Sequence, residues 1–220
     1  MHSNSYTIIF TSIITIILGS ILSVAAGVLE DTQNLNVEND SKKNILISLG
    51  YEQPLGEPWT SGMIQNIFDE NIDAFVLDSE GNRTNLDPKS IDTEIDKNNL
   101  PIYVDEKAGV IEGYAIPISG KGLWSTLFGY FAVSPDGLTA KGITFYSHKE
   151  TPGLGGEVEK PWFQNNFVGK RFIDEEGKLV GIKVIKGKAN PDSEYEVDGI
   201  SGATITSKGL ENFLVDDLKK

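Results

Sequence analysis

The chain has no cysteine and two histidines, His2 and His148, in 220 residues. Disulfides, thiolate metal sites and cysteine nucleophiles are therefore excluded. Zinc, haem and iron–sulfur centres lack their usual ligands. Cations are scarce too: 19 Lys and Arg stand against 32 Asp and Glu, a formal net charge of -13. So acidic a surface repels nucleic acid, which removes DNA and RNA as partners. No P-loop order, no Gly-x-Ser-x-Gly elbow and no dinucleotide fingerprint occurs. Any chemistry must come from oxygen groups or from an organic cofactor.

What is present begins with one apolar run. From Thr7 to Leu29 there is no charged side chain. A helix of that length crosses about 30 Å of hydrocarbon. The rival reading is a cleaved signal peptide, with Ser23-Val24-Ala25 as the small-residue site. The run is longer than a signal core and no Lys or Arg precedes it, which favours a retained anchor. Lys42 and Lys43 are the nearest cations, on the C-terminal side. Read naively, they place the domain in the cytoplasm, but Glu30 and Asp31 come first and the lysines lie near the limit of the rule's reach.

Glu30–Asp40 is polar, a linker or the continuing end of that helix. Ser41–Leu49 reads as a short amphipathic helix, capped by Ser41, with Ile45, Leu46 and Leu49 on one face and Gly50 as its stop. Met63, Ile64, Ile67 and Phe68 mark another short helix, and Ala74–Leu77 a strand. Ser79–Asn99 is a polar surface excursion. Gly109–Ile118, Leu123–Val133 and Leu138–Tyr146 are strands, rich in β-branched and aromatic residues. The turn Ser134-Pro135-Asp136-Gly137 joins the last two as an antiparallel hairpin. Val180–Ile185 is a later strand behind a turn at Glu176-Gly177, and Thr206–Leu218 a terminal helix. The expected class is α+β: one domain with a mainly antiparallel sheet and flanking helices, tethered by one N-terminal transmembrane helix. The expected segments are an anchor over 1–29, a linker and short helix over 30–50, and the domain over 51–220.

Three glycine-bearing stretches are candidate sites. Asp198-Gly199-Ile200-Ser201-Gly202-Ala203-Thr204-Ile205-Thr206-Ser207 has small residues and hydroxyls just before a helix. Free backbone N–H groups and the positive helix end suit a phosphate there. A plain turn with a Thr or Ser cap fits the same spacing and is the commoner pattern. Glu150-Thr151-Pro152-Gly153-Leu154-Gly155-Gly156 offers a backbone surface with few side chains, against which a planar ring could lie, or is simply a surface turn. His148 beside Lys149 and Glu150 reads more readily as solvated than as catalytic. Gly120–Tyr130 carries aromatics that read as core and sheet residues.

Taken in order after one apolar helix, these stretches resemble the C subunit of the sodium-translocating NADH:quinone reductase. The telling motifs are Gly122-Leu123-Trp124-Ser125-Thr126, Glu150–Gly156 and Asp198–Thr204, with Ser5–Phe10 and Lys42–Leu46 in support. The G subunit of the Rnf electron-transport complex shares the flavin motif and is the nearest alternative family; a cofactor-free tethered scaffold is the alternative of another class. The resemblance implies an FMN bound covalently, by a phosphoester, to Thr204. It implies a separate flavin transferase that splits FAD and reads Asp198 and Gly199. Ring contacts are then expected from Thr151, Pro152, Gly153, Leu154, Gly155 and Gly156, phosphate-end contacts from Ser201, Gly202, Thr206 and Ser207, and Glu150 and Ala203 are counted with the cofactor-binding residues. It further implies an electron-relaying subunit among others in a bacterial inner membrane, in contact with lipid. Its flavin domain would be periplasmic, against the naive charge reading.

Overall fold

The computed structural model describes residues 3–53 and 56–219; His2 lies outside them. The chain divides into two compact units, residues 1–40 and 41–220. The first helix, α1 (Asn4–Ser48), contributes to both. Its N-terminal part includes an 18-residue window of mean hydropathy 2.4 with no residue buried, long and apolar enough to cross a membrane. Glu30–Asp40 is helical throughout, so the polar stretch continues α1 and Ser41 caps nothing. Instead, the Ser41 hydroxyl lies 2.6 Å from the Tyr130 hydroxyl. Gly50 does end the helix. It takes φ +88, its N–H donates to Ile47 O, and the Tyr51 N–H donates to Leu46 O. That pair of bonds is the Schellman arrangement, which needs a residue tolerant of positive φ.

The second unit is built on a five-stranded antiparallel sheet in the order β1-β2-β3-β4-β5. The strands are β1 (Ile72–Leu77), β2 (Leu100–Lys107), β3 (Val110–Lys121), β4 (Thr126–Val133) and β5 (Ala140–Ser147). Consecutive strands pair, so each connection is a hairpin or a simple return. Side chains alternate between the two faces, and both faces are covered. One face, with Tyr103, Ala115, Tyr130 and Ala132, packs on Ile45, Leu46 and Leu49 and on α2 (Ser61–Asn71) through Ile64 and Phe68. The other, with Val104, Ile116, Ile118, Leu127, Phe131 and Ile143, packs on Leu210, Phe213 and Leu214 of the terminal helix. Short elements close that second face: a 3₁₀ turn at Gly155–Glu159, α3 (Pro161–Gln164), and the parallel pair β6 (Lys183–Ile185) and β7 (Glu196–Asp198).

The terminal helix, α4 (Thr204–Asp217), lies close against the end of β3. Its seat is cut by two glycines. A side chain at Gly120 would meet Phe213 at 2.2 Å, and one at Gly209 would meet the Lys121 carbonyl at 2.2 Å. The buried Asp217 accepts the Ser119 N–H at 2.8 Å and fixes the other end.

Candidate functional site

α4 begins at Thr204, two residues earlier than its apolar periodicity indicates. The residue in the cap position is Ala203, whose side chain has no acceptor, so neither Thr nor Ser serves as the cap. The Ser207 N–H is the first to find an intrahelical partner, Ala203 O at 2.9 Å. The amides of the preceding turn have no carbonyl four residues back. Thr204 is exposed in that turn with Ile205, while Ala203, Thr206 and Ser207 are buried. The Ser207 Oγ is buried and finds no hydrogen-bond partner among the described residues. A helix start with unspent donors, a buried spare hydroxyl and an exposed threonine suits an anionic group.

The three glycine stretches converge on Glu150. It is only 5% exposed, in the first loop after β5. Its Oε2 accepts the Thr206 hydroxyl of α4 at 2.7 Å. Its Oε1 accepts the N–H groups of Trp124 at 2.8 Å and Ser125 at 3.2 Å, in the turn between β3 and β4. Its own N–H donates to His148 Nδ1 at 3.2 Å, and His148 Nε2 lies 3.4 Å from Glu159 Oε2. Burial pushes the Glu150 carboxyl upward. The bonds from Thr206 and from the backbone of Trp124, Ser125 and Leu123 outweigh it and hold the carboxyl below its ordinary value. Every donor to it is uncharged.

Two glycines exist to make room for that carboxylate. A Cβ at Gly155 would lie 2.5 Å from Glu150 Oε2 and 2.7 Å from Thr206 Oγ1; one at Gly122 would lie 2.7 Å from Glu150 Oε1. The glycines of the 150–156 stretch therefore do not share one task. Gly155 and Gly156 are buried, whereas Thr151, Pro152, Gly153 and Leu154 are exposed. Gly202 has φ +74, and a Cβ there would strike Leu154 Cδ2 at 2.7 Å, so the second and third stretches also touch. Ser201 and Gly202 stand exposed just before α4.

Asp198 ends β7 and is tied to the β6–β7 connection. Its carboxylate accepts the Lys188 ammonium and the Ala189 N–H, the latter at 2.9 Å. Lys188, and then Ala189, hold it below the ordinary carboxylate range. Gly199 continues the tie: its N–H donates to Gly187 O at 2.9 Å, and a Cβ would meet Ile185 O at 2.0 Å.

Sequence reasoning offered Leu154 as an apolar contact but missed the rest of the apolar rim. Trp124 is 70% exposed, and Leu123, Leu154 and Ile205 are exposed in the same three stretches. Leu123–Ser125, expected within a strand, forms a turn before β4, closed by Gly122 N to Ser125 O at 2.9 Å. The signal available was Gly120-Lys121-Gly122 ahead of it, two glycines that interrupt the β-branched pattern.

The second unit is thus an α+β domain with an uncapped helix start and three loops gathered at it, preceded in the chain by a long apolar helix. The family model described as FMN-binding domain matches residues 122–219, which include all three loops. The chain belongs to the NqrC family, the C subunits of the Na(+)-translocating NADH-quinone reductase. The family member from Yersinia pestis is 33% identical, covering 94% of this chain and 85% of the relative. The one from Pseudomonas aeruginosa is 34% identical, covering 97% and 90%. Among solved structures, the C subunit from Parabacteroides distasonis matches with a TM-score of 0.76 and 33% identity, over 86% of this chain and 93% of that one. The NqrC of Shewanella oneidensis matches at 0.68 with 26% identity, over 79% and 88%. The relatives are thus named as subunits of an oxidoreductase complex.

Proposed function

We propose that this chain relays electrons within a sodium-pumping NADH:quinone reductase through an FMN joined by a phosphoester to Thr204. The observation that carries the reading is an exposed threonine hydroxyl in the first, uncapped turn of α4, inside the segment that matches the FMN-binding family. The residues fit the group. The first-turn amides and the Ser207 hydroxyl would receive the phosphate, with Ser201 and Gly202 beside it. The exposed Thr151–Leu154 stretch and the neighbouring Trp124 present apolar surface to a planar ring. When bound, the flavin supplies reversible electron transfer, while the protein places it and tunes it.

A threonine hydroxyl is a weak nucleophile, so a separate transferase with a metal ion is required. The Thr204 oxygen bonds to the phosphorus that carries riboflavin in FAD, the diphosphate bond breaks, AMP leaves, and the threonine proton passes to a base on the transferase. Asp198 and Gly199 are read as its recognition element. Residues 1–29 anchor the chain among the other subunits and lipid of a bacterial inner membrane, with the flavin domain on the periplasmic side. NADH binds elsewhere in the complex, because this chain has no dinucleotide fingerprint.

The test is co-expression with a competent transferase, followed by acid precipitation and visible spectroscopy. The parent retains yellow flavin in the pellet, and Thr204→Ala folds and is colourless. Covalent flavin persisting in Thr204→Ala removes the attachment site. A colourless parent returns the chain to a cofactor-free scaffold. A periplasmic reporter fused to the C-terminus is expected to be active; activity from a cytoplasmic reporter alone reverses the orientation.

A further inference from the structure

We infer that Glu150 is the positioning residue for loading of Thr204: a buried carboxylate clasp that holds the helix start in register with both other loops. The inference rests on the reading of Thr204 as the attachment site. Among the expected cofactor contacts, Glu150 is the one whose two oxygens are already filled by protein donors. Oε1 holds the Trp124 and Ser125 amides, and Oε2 holds the Thr206 hydroxyl. Thr206 is fully buried and stands two residues after Thr204, in the same first turn of α4.

The surroundings are shaped for this contact. Gly122 and Gly155 come from two different loops, and a side chain on either would occupy the space of a Glu150 oxygen. Removing the carboxylate takes the acceptor from the buried Thr206 hydroxyl and from two part-buried backbone amides, and donors left unsatisfied draw a loop toward water. The first turn of α4 then loses its link to the Trp124 turn. Group transfer to a hydroxyl depends steeply on its placement, so a displaced Thr204 slows phosphoester formation although no reacting atom has been removed. The nucleophile, the leaving AMP and the proton acceptor stay the same; only the position of the Thr204 oxygen changes.

The experiment measures flavin loading of the full-length chain by purified transferase with FAD and magnesium, for four variants. Circular dichroism first establishes that each is folded. Glu150→Ala and Thr206→Val are each expected to load at least about tenfold more slowly in kcat/KM. The double variant is expected to load no more slowly than the worse single one, since both remove the same contact. Glu150→Gln keeps an acceptor for the two amides and the length of the side chain, and is expected to recover most of the rate. Thr206→Val changes one buried hydroxyl to a methyl and keeps the test open should Glu150→Ala not fold. Loading of a folded Thr206→Val chain within about threefold of the parent overturns the inference. So does a double variant whose defect is the product of the two single ones. Neither result touches the attachment site: that fails only if Thr204→Ala still acquires covalent flavin.

Discussion

Of the three buried carboxylates among the described residues, Asp105 and Glu150 stand by opposite faces of the sheet and are held in different ways. Asp105, fully buried, lies two residues beyond Tyr103 and on the same face, toward α1 and α2. It accepts the Tyr51 hydroxyl at 2.7 Å and faces two ammonium groups, Lys141 at 3.5 Å and Lys107 at 3.9 Å. Burial, and then this carboxylate, push the Tyr51 phenol above its ordinary range. Glu150 stands by the other face, at α4, and takes only uncharged donors. The difference matches what each place has to do. Behind the domain a carboxylate among cations makes a knot between the end of α1, β2 and β5. At the site, a cation next to Glu150 would neutralise the carboxylate and also compete for a phosphate. Backbone amides and a hydroxyl hold it without adding a charge.

The comparison breaks most visibly at Asp105. Asp105→Ala takes the acceptor from Tyr51 and the carboxylate partner from Lys141, whose ammonium keeps the Glu112 carbonyl at 2.6 Å, and is expected to cost about 3 kcal/mol, the lower end for a broken buried pair, since both lysines reach water. Denaturant unfolding measures the loss, while flavin loading of the folded fraction is expected to match the parent. Gly155→Ala comes next. Its methyl overlaps Glu150 Oε2, an overpacking worth about 2 kcal/mol, and here slow loading should accompany the lost stability. Tyr51→Phe removes one hydrogen bond to Asp105 and is expected to cost about 1 kcal/mol with loading unchanged.

The smallest effect is in pH. The folded Glu150 carboxyl is held below its unfolded value of about 4.3. Its contribution to stability is therefore complete above that value and is lost as pH falls through the folded one. Glu150→Gln has no such term, so its stability should fall less steeply in acid than the parent's. Equal acid slopes in thermal melts of the two proteins would show that Glu150 has no depressed titration.

Much of this fold is legible in residue patterns. The helix with Ile64 and Phe68, the 134–137 turn and the strands after Gly109 follow from periodicity and turn chemistry. β2 does not. Leu100–Lys107 opens with Leu-Pro and ends in Asp-Glu-Lys, so half of it reads as surface; burial of Asp105 by tertiary contacts overrides that. The pairing of β6 with β7 is likewise set by the chain's return, not by three-residue strands that carry little pattern. At the candidate site the three stretches were legible as motifs, while Thr204 was singled out only by the family resemblance. The role of Glu150 was not, because in sequence it is one of 32 acidic residues and its donors come from stretches 25 and 56 residues away. Beyond Leu154, the apolar rim was hidden for the opposite reason: Trp124 in a strand-like run reads as core until the turn exposes it.

The empty space at Gly122 and Gly155 has a meaning across relatives as well as within one molecule. The two glycines, Glu150 and Thr206 share a single small volume, so none of the four is free to change alone. A shorter acid at 150 would open a gap that an alanine at 155 could fill, and a longer side chain at 122 would evict the carboxylate. Substitutions in this family should therefore arrive as compensating sets at these positions. A lineage that has lost the acidic group should show its glycines drifting toward larger residues.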